Sequence, residues 1–290
     1  MKKFWLVITM MVLSVVLLVY LHPRSGSEKK DTGAPLPPQF TEKSLFLTPI
    51  HQSSSISEVG KVTGITVPHH LLARDLIADM FVRLQGQTYD RIVVISPDHF
   101  WLGYTTISVA DQDFATILGL LKTDYTVVEK LIDVPEVSTA DFFYREHGVQ
   151  AELPFIAYFF PHTPIVAIAV KENARQEELD LLINKLKKVL TKNTLIVQST
   201  DFSHYLPVDV ANTKDIETIE VLKGNNPEKV LELTQPDHMD SKAAQYIQSR
   251  LQKEFFKSDL TIVAHRNSQY YTDEVVEETT SYITQMYKRN

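Results

Sequence analysis

Short apolar runs alternate with amphipathic segments along most of the chain. Each run is almost free of polar residues, which is typical of a strand buried on both faces. Between the runs, apolar residues recur every three or four positions, which indicates amphipathic helices. This alternation predicts an α/β layered domain with a largely parallel, two-sided sheet. The strand-like runs are 64–67, 92–95, 165–170, 195–197 and 260–264, and the helical segments include 72–84, 179–190 and 243–251.

The N-terminal segment has the composition of a membrane anchor. Residues 4–21 (FWLVITMMVLSVVLLVYL) form an 18-residue stretch without a charge, close to the ~20 residues that a spanning helix needs. No small-residue cleavage site follows it, so we expect an uncleaved N-terminal transmembrane helix, within residues 1–21, in the cell membrane. The single-pass arrangement would place the domain outside the cytoplasm; the alternative is signal cleavage and secretion. Residues 22–44 predict a flexible linker, which leaves 45–290 as the domain.

Composition narrows the range of partners and sites. The first 30 residues carry five basic side chains and one acidic one, a charge of +4. Because the net charge of the chain is −7, the remaining residues carry −11. An acidic domain argues against nucleic acid as a partner. The chain has no cysteine, which excludes disulfides, zinc–thiolate sites, iron–sulfur clusters and cysteine nucleophiles. Any metal site must therefore use histidine and carboxylate ligands.

Polar residues with possible chemistry follow several of the predicted strands. His69, Asp98, His99, Asp201 and His204 all lie within a few residues of a strand end. In an open α/β sheet the ligand crevice lies at the carboxyl ends of the strands. Two imidazoles and a carboxylate facing one point would bind a metal, and another histidine could act as a general base. The alternatives are surface or capping residues, with Asp201 as a helix N-cap.

Two further segments of the chain carry such side chains. His265 follows the last predicted strand, and we interpret it as a structural or surface residue. Glu146 and His147 precede an apolar helical stretch. They could orient metal-bound imidazoles from a second layer of contacts, or they could only form the first turn of a helix.

Four motifs in order resemble one known family. They are Val67-Pro68-His69, Ser96-Pro97-Asp98-His99, EHxxxxELPF over 146–155, and STDFSH over 199–204. Together they resemble the Memo family, also called AmmeMemoRadiSam system protein B, over roughly residues 45–288. The resemblance implies a three-layer α/β/α single domain with a mostly parallel mixed sheet, related to LigB-type class III extradiol dioxygenases.

The resemblance also implies roles for individual residues. His69 and His99 match the metal-ligand histidines, and the divalent metal would be iron, copper or zinc. Asp201 and His204 match an acid–histidine pair at the place of a catalytic base. Asp98, Glu146 and His147 become candidates for orienting the ligands.

One departure from the family pattern concerns the third metal ligand. The family usually carries a cysteine there, and by the resemblance its position matches Ala244 within residues 240–245. Asp240 and His238 are the nearby residues that could replace it. A carboxylate in place of a thiolate would shift the preference from Cu(I) towards harder ions.

Three functions remain open at this point. The first is a membrane-anchored Memo-like protein with a histidine-based metal site and oxidoreductase or dioxygenase-like chemistry. The second is a catalytically degenerate module that binds a small molecule or peptide, which the missing cysteine favours. The third is a metal-dependent hydrolase, since zinc-bound water is a nucleophile near neutral pH.

Overall fold

The computed structural model describes residues 33–54, 56–58 and 60–289. The expected anchor at 4–21 lies outside these residues. Within them, no helix combines the length and apolarity needed to cross a membrane. A compact unit starts at Ala34, and Leu36 is buried in its core. The last part of the expected linker, from residue 34, therefore packs as part of the domain.

The strands lie where the apolar runs predicted them, with additional ones between and after them. In chain order they are β1 (Lys61–Val67), β2 (Arg91–Pro97), β3 (Ile107–Val109), β4 (Phe114–Thr116), β5 (Gly119–Leu121), β6 (Val137–Thr139), β7 (Ile165–Val170), β8 (Thr194–Ser199), β9 (His204–Leu206), β10 (Asp259–Asn267) and β11 (Thr279–Arg289). The main sheet has the order β10-β11-β1-β8-β2-β7-β3-β6, with β9 paired to β11, and β4 and β5 form a separate hairpin.

Four strands at the centre of the sheet, β1, β8, β2 and β7, run parallel to one another. The predicted parallel core is therefore confirmed. The fifth predicted run, 260–264, belongs to β10, which pairs antiparallel with β11 at the sheet edge. Its residues are partly exposed, because an edge strand has a neighbouring strand on one edge only. Antiparallel pairing also joins β1 to β11 and β7 to β3, so the sheet is mixed.

Helices cover both faces of the sheet. They are α1 (Ser44–Gln52), α2 (Arg74–Arg83), α3 (Tyr125–Leu131), α4 (His147–Gln150), α5 (Leu153–Phe159), α6 (Gln176–Val189), α7 (Val208–Lys223), α8 (Pro227–Val230) and α9 (Lys242–Arg250). Side chains of α1, α2 and α5 share one core with Ile92 and Val94. Side chains of α3, α6 and α9 share another with Val93 and Ile95. Alternate residues of β2 thus enter opposite cores, as expected for a buried parallel strand.

Strand register brings three loops to the same edge of the sheet. Gln198 of β8 is the register partner of Thr66 in β1 and of Ile95 in β2. His69 lies three residues after Thr66, Asp201 three residues after Gln198, and His99 four residues after Ile95. The three side chains therefore leave the sheet at the same level, at the carboxyl ends of neighbouring strands.

Candidate metal site

Two imidazoles and one carboxylate meet at this edge. His69 follows β1, His99 follows β2, and Asp240 precedes Ser241, the N-cap residue of α9. Asp240 Oδ2 is 3.1 Å from His69 Nε2 and 3.6 Å from His99 Nε2. Asp240 Oδ1 is buried and has no hydrogen-bond partner among the described residues. This donor set, two imidazole nitrogens and a carboxylate facing one position, fits a divalent metal ion.

The other nitrogen of each imidazole is held by a hydrogen bond. Ser199 Oγ lies 3.0 Å from His69 Nδ1, and Glu146 Oε1 lies 2.6 Å from His99 Nδ1. Glu146 Oε2 also accepts from the backbone N–H of His99 at 3.0 Å. Partners of this kind fix the ring orientation and leave Nε2 facing the site.

A third imidazole, that of His147, lies against the other two. Its ring centroid is 4.0 Å from that of His99 and 5.1 Å from that of His69. One nitrogen from each of the three rings lies within 4.8 Å of the others. Glu146 is the N-cap of α4, and its side chain accepts from the N–H of Gly148. The short helix α4 therefore places an orienting carboxylate and a possible ligand, His147, side by side.

Charges within the cluster shift the pKa values of its imidazoles in opposite directions. Burial alone would lower the pKa of His99, but hydrogen bonds and charges from Asp240 and Glu146 outweigh it and raise the pKa to about 10. For His69, burial is likewise outweighed by nearby carboxylates, and the pKa is raised. Burial and the two neighbouring imidazoles lower the pKa of His147 to about 4. The raised pKa values favour the protonated forms of His69 and His99 beside Asp240, and a bound cation would compete with these protons.

Asp201 and His204 follow the same strand but make different contacts. Asp201 Oδ1 accepts from the backbone N–H of His69 at 3.1 Å, and Oδ2 lies 3.6 Å from His69 Nε2. His204 Nδ1 donates to the carbonyl oxygen of Phe202, so in the neutral ring Nε2 is the acceptor nitrogen. The carboxylate of Asp201 therefore contacts His69, whereas the resemblance pairs Asp201 with His204.

Asp98 and His265 lie outside the imidazole cluster. The Asp98 carboxylate accepts from the backbone N–H groups of Leu102 and Gly103 at 3.1 and 2.9 Å. It therefore stabilises the loop after β2. Neither of these two bonds involves an imidazole of the cluster. His265 Nε2 lies 2.7 Å from a carboxylate oxygen of Asp215, in agreement with a structural role.

Asp240, and not Ala244, lies where a third ligand could join His69 and His99. Ala244 is fully buried in the core that α9 shares with the sheet. His238, the other replacement considered, lies with Nε2 2.9 Å from Glu217 and Nδ1 2.8 Å from Thr234 Oγ1. Asp240 alone of these three has an atom beside His69 and His99. The spacing of residues in the sequence could not show which of the three lies beside the imidazoles, because the loop before α9 is irregular.

Two residues important for the geometry were missed at the sequence level. Ser199 is the first residue of the STDFSH motif, which was the signal that could have identified it. Glu152 lies in EHxxxxELPF and is fully buried. Neither of its carboxylate oxygens has a hydrogen-bond partner among the described residues. Burial, with a smaller contribution from the charge of Asp201, raises the pKa of Glu152 well above its usual value.

The imidazole cluster forms one wall of a cavity of about 820 Å³. Its other walls mix apolar and polar side chains, which is typical of a small-molecule site. They include Phe40, Leu71, Leu72, His204 and Tyr205. A ligand in the cavity could therefore contact the cluster and His204 at the same time.

Comparison with known families settles the membership of this chain. Residues 37–285 match the family model described as Memo-like protein. The chain belongs to the Memo-like protein family. The resemblance drawn from the four motifs is thereby confirmed, and the matched region includes every residue of the imidazole cluster.

Individual relatives are distant and only partly aligned. A MEMO1 family protein of Pyrobaculum aerophilum is 28% identical over 163 residues, which cover 54% of this chain and 58% of that protein. A MEMO1 family protein of Aquifex aeolicus is 31% identical over 155 residues, covering 51% of this chain and 41% of that protein. The chain thus spans about half the length of these curated relatives. The crystal structure of an uncharacterized protein from Escherichia coli K12 has 12% identity and a TM-score of 0.49, covering 77% of this chain and 99% of that one.

Proposed function

We propose that this Memo-family protein binds a divalent metal ion through His69, His99 and Asp240, with His147 as a further ligand. The observation that carries the proposal is the convergence of two Nε2 atoms on one carboxylate oxygen, at 3.1 and 3.6 Å. The hydrogen bonds to the opposite ring nitrogens support it, because they orient imidazoles as in other metal sites. The buried Oδ1 of Asp240, which has no hydrogen-bond partner in the described part of the chain, supplies a further donor atom.

Iron(II) is the ion that we favour, with zinc as the alternative. Thiolates select soft ions such as Cu(I), whereas imidazole combined with carboxylate suits iron(II) and zinc. Because Asp240 stands beside the imidazoles of this cysteine-free chain, copper(I) becomes the least suitable of the ions considered. A site of two histidines and one carboxylate is moreover typical of iron(II) oxygenases.

The chemistry that we propose is oxidoreductase chemistry of the dioxygenase type, on a ligand held in the 820 Å³ cavity. A bound ion would supply Lewis acidity and, for iron, electron transfer. His204 would accept a proton from the ligand through Nε2, because its Nδ1–H is held by the carbonyl of Phe202. Asp201 would keep His69 in place through the backbone N–H. Phe40 and Leu71 would shield the ligand from water.

The test is an anaerobic titration of the metal-depleted full chain with iron(II) and zinc, followed by oxygen-uptake assays with candidate phenolic ligands. Asp240→Ala removes the proposed ligand, and Asp273→Ala removes an exposed carboxylate as a matched control. We expect the wild type and Asp273→Ala to bind iron, and Asp240→Ala to lose most of the affinity. Binding that is unchanged in Asp240→Ala would contradict the proposed ligand set. Turnover of a hydrolysable substrate without oxygen would favour the hydrolase instead.

We also propose that residues 4–21 anchor the domain to the cell membrane on its outer side. The support is the uncharged 18-residue stretch and the absence of a small-residue cleavage site. Protease added to intact cells should digest the domain if it lies outside. A domain that is digested only after lysis would contradict this topology, and a full-length product found in the medium would favour secretion.

A further inference from the structure

We propose that the loop Phe100–Tyr104, here called the aromatic loop, contacts the interface of the lipid bilayer beside the cavity mouth. This inference rests on the proposed membrane anchor and is independent of the metal. The loop exposes four large apolar or aromatic side chains in five consecutive residues. Exposed fractions are 43% for Phe100, 50% for Trp101, 41% for Leu102 and 88% for Tyr104. Tryptophan and tyrosine are enriched at membrane–water interfaces, where one end of the ring stays wet.

The exposure of these side chains is built into the loop. Trp101 has φ 54°, a left-handed conformation that is uncommon for a residue other than glycine. The buried carboxylate of Asp98 holds the next two backbone N–H groups, those of Leu102 and Gly103. Lys171 Nζ donates to the carbonyl of Gly103 at 2.7 Å. A strained turn persists only when its surroundings fix it, so this loop presents its apolar side chains in a defined conformation.

The aromatic loop lies at the mouth of the cavity. The ring of Phe100 is 6.4 Å from that of His99 and 5.9 Å from that of His147, between centroids. Two other exposed apolar side chains, Leu72 and Tyr205, line the same cavity. Exposed apolar surface therefore occurs both in the aromatic loop and in the lining of the cavity. Water alone would leave this surface unfavourably solvated, whereas a bilayer interface would cover it.

The first residues of the domain lead to the same opening. Gln39 and Phe40 line the cavity, and the backbone N–H of Gln39 donates to Gln150 at 3.1 Å. The compact domain begins at Ala34, so only the 12 residues 22–33 lie between the end of the proposed anchor and the domain. They would span at most about 40 Å when fully extended and about 17–21 Å as a flexible coil. With residues 4–21 anchored as proposed, this length limits how far Ala34 can lie from the bilayer.

A basic side chain beside the loop suits lipid headgroups. The guanidinium of Arg145 lies 5.1 Å from the ring centroid of Phe100, and Arg145 is exposed. Long basic side chains at an interface keep their charge among the headgroups while their stems cover apolar surface. The partner that fits this combination of aromatic rings and one basic residue is a phospholipid interface.

Tryptophan fluorescence tests the inference because the chain has two tryptophans, Trp5 and Trp101. The full chain with Trp5→Phe is reconstituted in phosphatidylcholine vesicles whose acyl chains are brominated near the headgroup or near the bilayer centre. Bromine quenches a tryptophan that lies within the bilayer. The control carries Trp5→Phe, Trp101→Phe and Ile216→Trp, which moves the reporter to α7, where Ile216 is 57% exposed.

We expect Trp101 emission to shift to shorter wavelength in vesicles and to be quenched more by the shallow bromines than by the deep ones. The Ile216→Trp reporter should stay unquenched. Vesicle-bound protein whose Trp101 is quenched by aqueous iodide and not by bromolipid would overturn the membrane contact while leaving the anchor intact. Protein that does not float with the vesicles would overturn both. Neither outcome bears on metal binding, which the iron titration tests separately.

Discussion

At the scale of single residues, the site depends on atoms that hold the imidazoles as much as on the imidazoles themselves. His69 and His99 were identified from the sequence because each follows a strand-like run within a family motif. Asp240 was one of two replacements that the sequence left open, since it lies in an irregular loop without strand or helix periodicity. Ser199 was not singled out, because a serine at a strand end has no distinctive pattern of its own.

Removal of the Ser199 hydroxyl should weaken metal binding without removing a ligand. Ser199 Oγ lies 3.0 Å from His69 Nδ1, and loss of such an orienting partner typically costs about 10–100-fold in metal affinity. We expect Ser199→Ala to show a loss in this range in competition with a chromophoric chelator. Ser44→Ala, at an exposed serine, serves as the control. Equal affinity in both variants would show that the hydroxyl does not orient His69.

Glu152→Gln should change how stability depends on pH. The pKa of buried Glu152 is raised well above its ordinary value of 4.5. Above about pH 4.5 the unfolded chain releases this proton while the folded protein keeps it. The free energy of unfolding of the wild type therefore falls by up to about 1.4 kcal/mol with each further pH unit, until the pH passes the raised pKa. Glutamine does not titrate, so the variant lacks this slope.

The measurement is the thermal unfolding midpoint of both metal-depleted proteins from pH 5 upward. We expect the stability of Glu152→Gln relative to the wild type to rise with pH. Burying the amide also changes the stability of the variant by an amount that does not depend on pH. The readout is therefore how the stability difference between the two proteins changes with pH, and not its absolute size. A difference that stays constant across the pH range would contradict a protonated Glu152.

At the scale of secondary structure elements, parallel strands and one short helix assemble the site. The apolar runs that became β1, β2, β7 and β8 were predictable because strands buried on both faces are almost continuously apolar. The edge strand β10 was predicted as a strand, but not its antiparallel pairing, since pairing direction has no local signal. Helix α4 has only four residues, His147–Gln150, which is too short for helical periodicity to show.

Gly148→Ala should disturb the site because α4 approaches β2 closely. A Cβ at Gly148 would overlap Ser96 Oγ and would lie 3.2 Å from His99 Cε1 and 3.3 Å from Glu146 Oε1. Overpacking of this kind typically costs about 1–3 kcal/mol of stability, and here it would also displace the carboxylate that holds His99. We expect lower metal affinity together with a lower unfolding midpoint.

The matched control is Gly224→Ala at the end of α7. Its Cβ would lie 3.3 Å from the nearest atom, the carbonyl oxygen of Val221, and it lies outside the imidazole cluster. Gly224→Ala should therefore bind metal like the wild type. A Gly148→Ala protein with unchanged metal affinity would show that α4 does not fix the position of His99.

At the scale of the whole molecule, the candidate ligands come from four separate parts of the chain. His69, His99, His147 and Asp240 are brought together only by the folded sheet and its loops. The family motifs predicted that the first two would meet, because each motif lies at the carboxyl end of a central strand. They could not predict Asp240, whose position depends on how the loop before α9 returns to the sheet.

Metal content tests the central claim most directly. The full chain is purified without a histidine tag, and its metals are measured by plasma mass spectrometry. His69→Ala/His99→Ala removes two proposed ligands, and His51→Ala/His162→Ala removes two exposed histidines as the control. We predict near-stoichiometric iron or zinc in the wild type and the control, and almost none in the His69→Ala/His99→Ala protein. A wild type that holds no metal and takes up none of the added ions, or a His69→Ala/His99→Ala protein that keeps its metal, would contradict the claim.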